Sequence, residues 1–465
     1  MTTRSGTIRE GTLRRGRQIM ARMGSSGRRS GGGRSWPMGR GLALSLGLLL
    51  GVAPALAQTP HPAPPQDGAV ALVGATIHPM TGPAIEEGTL VFEDGVITAV
   101  GAAVTVPTGA REVDLRGMHL YPGLVDAHSA MGLFEIGGFD QTIDLNELGE
   151  VNPNARAQVA FNPETRHTSP ARSQGVLITN STPAGGLISG TSAAMMMDGW
   201  TWEEMTLRAP TNLMVNWPFP GDEAEYDEAI ETLRDTFDEA RRYWRAADGS
   251  QGSVVPSDSR WEAMIPVFEG DLPVMVQANE LRQIQDAVSW AGEEGVRILI
   301  VGGRDSGLVV DHLARLEVPV LLSSVQGSPS RDWQPYDEPF TLPARLHEAG
   351  VSFGIAGGTS APYTYRLAWE AGTAVAFGLP EEEALRAVTL YPARFLGIDD
   401  RVGALEEGMD ATFLVTTGNP LEYETQIDQA YIQGREIDMM DVHRRFYEKY
   451  REKSMQRGGF GADGR

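Results

Sequence analysis

From residue 175 to residue 356 the chain repeats one pattern: a short, nearly unbroken apolar run, then a stretch with helical periodicity. The runs fall at 175–180, 273–276, 296–301, 318–322 and 352–356, and the helical stretches at 280–295, 307–316, 343–350 and 365–378. Apolar residues at consecutive rather than alternate positions suit strands covered on both faces, which are typically the parallel strands of α/β proteins. Strand-then-helix order over a span of about 270 residues predicts a (β/α)8 TIM-type barrel. An open doubly wound sheet is the competing architecture, and it lacks its usual G-x-G-x-x-G after an early strand. A long charged helix at 224–247 is expected as an insertion on the barrel rim.

Both ends of the chain read differently. Short β-type runs occur at 70–77, 89–92 and 96–100, the last two flanking Glu93-Asp94-Gly95. An Asp-Gly pair between apolar runs signals a hairpin. A further run at 111–120 leads into Tyr121-Pro122-Gly123, and β texture returns only at 411–415 and 426–434. A few strands at each terminus are marginal alone; paired across the chain they make one small sheet module. The chain divides accordingly into 1–57 (signal or targeting segment), 58–67 (Pro-rich linker), 68–121 (first part of the β module) and 122–400 (barrel). Residues 401–438 complete the β module, and 439–465 form a C-terminal helix and Gly-rich tail.

The first 57 residues combine an Arg-rich start, a short apolar run at 41–52 and Ala55-Leu56-Ala57, the layout of a cleaved secretory signal. Met1 and Met38 are both candidate starts, and Arg14-Arg15 lies far upstream of the apolar run. The expected protein is exported, periplasmic or extracellular, with no membrane insertion once the signal is removed. Without residues 1–57 the chain carries 29 Lys and Arg against 60 Asp and Glu, a net charge of −31. That surface repels nucleic acid and anionic lipid, leaving a small-molecule substrate or ligand as the expected partner, with homo-oligomer formation open. The chain has no cysteine, hence no disulfide and no thiolate metal ligand.

The octamer Tyr121-Pro122-Gly123-Leu124-Val125-Asp126-Ala127-His128 joins the β module to the barrel. It resembles the opening of the amidohydrolase superfamily barrel, where Pro-Gly-aliphatic-aliphatic-Asp-x-His-x-His carries the first metal ligands. Gly185–Ser192, Glu370-Ala371-Gly372, residues 378–385, 389–393 and 403–411, and the ending 432–436 resemble exported imidazolonepropionase-like members, in order, from about Ala69 to Lys453. The resemblance implies a β-sandwich built from both chain ends. It also implies one or two divalent metals, usually zinc, activating water at the C-terminal mouth of the barrel. The ligands would be two His on the first strand, a Lys or Glu mid-barrel, one His on each of strands five and six, and a final Asp.

The sequence departs from that set. The second His of the first strand is Ala130; the two later His positions read Gln277-Ala278-Asn279 and Gly302-Gly303-Arg304; the final strand ends Gly357-Gly358-Thr359-Ser360 without an Asp. Of the eight histidines, His61 lies in the linker, His78 and His119 in the β module, and His312, His347 and His443 in expected helices. Only His128 and His167 can reach a strand-end site. His128 is therefore the one candidate metal ligand, set against an inherited histidine hydrogen-bonded in the mouth. Gln277, Asn279 and Thr359 are the candidate substrate-binding residues; carboxamide oxygens suit hard ions better than zinc.

Blander readings attend the other features. Asp126 is expected to be structural and His167 a loop residue. Glu135, Asp140, Asp144 and Glu147 form a solvated acidic loop or a hard-cation site. Gly185–Ser192 is a structural turn or an anion nest, Met195-Met196-Met197 is core, and Trp200 and Trp202 line a pocket or lie under the insertion. The expected function is hydrolysis of non-peptide carbon–nitrogen bonds, cyclic-amide-like, with one divalent metal, zinc or similar. The alternative is a barrel without chemistry that binds a ligand or protein and needs no metal.

Overall fold

The computed structural model describes residues 61–248, 256–358 and 360–456; the expected signal segment 1–57 and Thr359 lie outside the described residues. Five strands open the chain: β1 (Val70–Ile77), β2 (Ile85–Glu93), β3 (Val96–Gly101), β4 (Arg111–Asp114) and β5 (His119–Pro122). The β2–β3 hairpin turns through Asp94 and Gly95, both at positive φ (50° and 82°), as a two-residue turn matched to strand twist requires. β2 runs antiparallel to β1 with Leu90 opposite Leu72, while β4 and β5 run parallel along β1. The Pro-rich residues 61–67 lie against this sheet. Gln66 donates to the carbonyls of Gly68 and Phe92 and accepts from the Gly95 amide.

Ten strands follow: β6 (Leu124–Ser129), β7 (Val176–Ser181), β8 (Ile188–Thr191), β9 (Ala193–Met196), β10 (Thr206–Arg208), β11 (Leu213–Asn216), β12 (Val274–Ala278), β13 (Ile298–Gly302), β14 (Val320–Leu322) and β15 (Phe353–Ile355). They form a four-stranded sheet, β10-β9-β7-β6, and a six-stranded sheet, β15-β14-β13-β12-β11-β8. β11 to β15 are parallel neighbours, as the apolar runs imply. Residues 188–196 run the other way, paired with β11 through β8 and with β7 through β9. The sheets are therefore mixed, and no ladder joins β15 to β6. The segment Ala387-Val388 spans that gap instead, its carbonyls accepting from Ile355 and Val125. This is an α/β architecture whose hydrogen bonding does not trace the closed, all-parallel cylinder expected from the sequence.

The chain ends with β16 (Phe413–Thr416), β17 (Ile427–Ile432) and β18 (Arg435–Glu436), and β16 pairs antiparallel with β5. Strands from both ends thus share one continuous eight-stranded sheet. Its core is an aromatic cluster in which the Phe92, Phe413 and Tyr431 rings lie 4.9–5.4 Å apart. The charged helix Glu223–Asp248 packs onto helix Leu281–Glu294. Phe237 meets the Trp290 ring edge-on at 4.8 Å, and Arg241 pairs with Glu294 at 2.7 Å.

A buried charge network ties these parts together. Asp198, just beyond β9, pairs with Arg172 at 2.9 Å and Arg435 at 3.1 Å, and accepts from the Ala63 amide at 3.1 Å. It thereby links four distant segments, including the one expected to be a linker. Asp198→Ala leaves the buried Arg172 guanidinium without its paired carboxylate, with only the charge of Asp438 still acting on it. Urea unfolding is expected to show a loss of about 3–5 kcal/mol; a change below about 1 kcal/mol contradicts this role.

A second polar feature sits in the N-terminal sheet. His78 Nε2 lies 3.1 Å from His119 Nδ1, and the His78 ring stacks on Tyr121 at 4.1 Å. Burial, then the neighbouring imidazole, lower the His78 pKa to about 4 against the opposing pull of Glu86 and Glu382. An unfolded-chain histidine protonates near 6.5, so between those values the unfolded state binds the extra proton. Stability is full above pH 6.5 and falls as the pH drops toward 4. Thermal melts should show Tm decreasing over that window and His78→Gln flattening part of the slope; an unchanged slope contradicts this.

Candidate functional site

The C-terminal ends of β11, β12 and β13 converge. Asn216 stands opposite Gln277 in the β11–β12 register, and Gln277 opposite Val301 in β12–β13. Gln277 and Asn279 line one cavity with Trp217, Glu280 and Arg304, and Asn279 and Arg304 also line a second cavity bounded by Ser323 and Ser328. The structure thus brings together two of the three candidate substrate-binding residues, at the strand ends where α/β proteins place ligands. Gly185 and Gly186, just ahead of β8, form one wall, and Asn216 Nδ2 donates to their carbonyls at 3.2 and 2.8 Å. The Leu187 and Ile188 amides both donate to the Glu150 carbonyl, so they are not free to bind an anion.

The first strand builds a different environment. Asp126 and His128 are buried, and neither lines either cavity. Asp126 Oδ1 accepts from the Gly357 amide at 3.2 Å and the His128 amide at 3.5 Å, while Oδ2 has no protein partner. Burial, partly offset by those hydrogen bonds, pushes its carboxyl up to about 7. Burial likewise lowers the His128 imidazole to about 4, and His128 Nδ1 has no protein partner. Asp126 therefore has the structural role expected of it, tying the β6 end to the segment after β15. It does so across the gap that the ladders leave open.

Two buried carboxylates fix the loop over the second cavity, and sequence reading does not identify that role. Glu370 Oε2, in helix Leu367–Ala376, accepts from Ser324 Oγ at 3.0 Å and from the Val325 and Gln326 amides, each at 2.7 Å. Asp305 takes a two-pronged pair from Arg331, at 2.7 and 2.5 Å, and accepts from the Leu281 amide at 2.9 Å. Their only sequence trace is the acidic residue of the Glu370-Ala371-Gly372 motif.

The remaining candidates resolve quietly. His167 Nε2 lies 3.0 Å from the Glu135 carbonyl, a loop contact, while Asp140, Asp144 and Glu147 are exposed. His312, His347 and His443 lie on helices. Met195, Met196 and Met197 are buried core; Trp200 is exposed and Trp202 packs against the core.

The side chains present do not fit a divalent metal of the expected kind. Among the described residues, no three His, Cys, Asp or Glu side chains converge. The geometry explains why at two strand ends. Gly302 has φ 93°, and a Cβ there would lie 2.5 Å from Asn279 Oδ1. A Cβ on Gly357 would lie 2.8 Å from the Thr364 carbonyl oxygen. No ligating side chain can grow from either position while those neighbours stay in place. His128 remains a lone imidazole, and one imidazole does not hold zinc.

Fold and cavity together define an α/β protein with a polar cavity at the ends of parallel strands. The sequence profile described as the Amidohydrolase family matches residues 278–437. The chain is 24% identical over 389 residues to Amidohydrolase tasK of Hapsidospora irregularis, covering 75% of this chain and 39% of that one. Over 57 residues it is 46% identical to the imidazolonepropionase of Erwinia tasmaniensis, covering 12% of this chain and 14% of that one. The chain thus spans less than half the length of these curated relatives. Among solved structures, an amidohydrolase from Thermotoga maritima superposes with a TM-score of 0.72 at 25% identity, over 79% of this chain and 99% of that one. Molinate hydrolase shares the fold, with a TM-score of 0.51 at 16% identity over 80% of this chain and 95% of that one. By profile, sequence and fold, the chain is similar to amidohydrolases.

The Glu370 clamp makes a prediction. Glu370→Ala removes the acceptor for three donors, and unfolding free energy should fall by about 3 kcal/mol. Amide exchange across residues 323–334 should accelerate in the same variant. Unaltered exchange there means that the clamp does not hold the loop.

Proposed function

We propose that the protein is a hydrolase of non-peptide carbon–nitrogen bonds in small molecules, cyclic amides and related compounds. Its two strand layers serve as the wall of a (β/α)8 barrel, and its ligand enters at the ends of β11 to β14. The observation that carries this reading is the superposition on the Thermotoga maritima amidohydrolase across nearly all of that chain. The cavity supports it: Gln277 and Asn279 offer neutral donors and acceptors beside Trp217, and the loop held by Glu370 and Asp305 lines the adjoining cavity that Asn279 shares. In this reading Gln277 and Asn279 orient the substrate. Asp126 keeps the end of β6 registered against Gly357. Thr359, two residues after Gly357 in sequence, stays a proposed substrate-binding residue. Export through the 1–57 segment, as a periplasmic or extracellular protein, belongs to the same proposal.

Family members typically bind a divalent metal; among the described residues no cluster of His, Cys, Asp or Glu that could hold one is formed. The second reading is a barrel that binds a small molecule without chemistry. One experiment separates the two. The protein purified without residues 1–57 is assayed against lactams, hydantoins and acyclic amides, with direct binding measured in parallel. The hydrolase reading expects turnover of at least one compound and a KM raised about tenfold by Asn279→Ala, the loss of one or two substrate hydrogen bonds. Binding without turnover across the panel overturns it in favour of the binding barrel.

A further inference from the structure

The polar side chains around the first cavity can be sorted by what they already bond. Asn216 is engaged with the Gly185 and Gly186 carbonyls and with Ser189 Oγ. Gln283 is fully used: its oxygen accepts from the Asn279 and Glu280 amides, and its nitrogen donates to the Trp217 and Pro218 carbonyls. Trp217 Nε1 donates to the Tyr226 hydroxyl. Arg304 and Glu280 pair at 3.2 Å, so their charges offset each other. Two side chains remain without a protein hydrogen bond, Gln277 and Asn279. Each offers one carbonyl acceptor and two N–H donors, and neither carries charge at any accessible pH. The free recognition chemistry of the cavity is therefore a pair of neutral carboxamides.

This complements the failed metal fit. Where the family sequence pattern calls for imidazoles, the chain has Asn279, packed where a Cβ on Gly302 would sit. The left-handed backbone of Gly302 disfavours a side chain there, and Asn279 fills that space with its own amide. We infer that this mouth takes its ligand without a resident divalent metal, and that the ligand is an uncharged molecule with adjacent donors and acceptors, held directly by Gln277 and Asn279. The inference rests on the mouth being the ligand site but not on whether hydrolysis follows binding.

The test uses the full protein and His128→Ala and His128→Gln variants, each equilibrated with zinc chloride or manganese chloride, desalted and measured for metal by mass spectrometry. The expected result is metal well below one per chain, or bound metal retained equally by the variants and so held elsewhere. Near-stoichiometric metal lost in folded His128 variants overturns the inference. Calorimetric titration of 2-pyrrolidone and acetate in the presence of EDTA tests the ligand. Binding of 2-pyrrolidone in preference to acetate, weakened about tenfold by Gln277→Ala with Asn279→Ala, is expected. Preference for acetate, binding of neither probe, or binding abolished by EDTA overturns it. The outcomes are separable from those of the hydrolase reading. Chelator-sensitive turnover with metal at His128 sinks this inference and spares that one, whereas metal-free binding without turnover does the reverse.

Discussion

Close approach at the ends of the central strands governs what this protein can hold. At Gly302 and Gly357 a neighbouring atom already occupies the space that a side chain would need, Asn279 Oδ1 in one case and the Thr364 carbonyl oxygen in the other. A packed interior does not open a methyl-sized gap without displacing its neighbours. The ends of β12, β13 and β15 are finished by backbone and carboxamides, while β6 alone among these strand ends carries a carboxyl and an imidazole, Asp126 and His128. The fold resembles that of the Thermotoga maritima amidohydrolase, while the side chains lining the cavity are largely neutral.

Buried charge stands behind the cavity, in its supports. Asp198 joins the N-terminal segment, helix Thr168–Ser173 and β18, Asp305 joins helix Leu281–Glu294 to Arg331, and Glu370 holds the turn at Ser324–Gln326. Each is buried and meets several donors, the arrangement in which removing one partner is most damaging. Their shared effect is to fix irregular segments that lack ladders of their own. The site therefore combines neutral recognition groups with charged anchors set behind them.

Much of this was legible in the sequence, and the exceptions have physical causes. Apolar runs announce the parallel strands β12 to β15 because burial on both faces excludes polar residues. The reversed strand pair at 188–196 is hidden for the same reason: composition records burial but not direction. Asp94-Gly95 announces its hairpin because few residue pairs accept two positive φ angles. The absent metal ligands are visible by inspection, since Ala130 and Gly302 cannot coordinate anything. The clamps escape notice because the partners of Glu370 are mostly backbone amides, which every residue supplies. Residues 61–67 read as a linker from their prolines, yet Asp198 and Gln66 hold them to the body.

The central claim is that a mouth resembling that of the amidohydrolases is built here around neutral carboxamides, with no metal at its first strand. Crystals grown with zinc chloride and measured at the zinc absorption edge test it most directly. A bound zinc would stand about 2.0–2.1 Å from an imidazole nitrogen. The account predicts no anomalous peak at that distance from His128; a strong peak there, completed by further ligands, would contradict it.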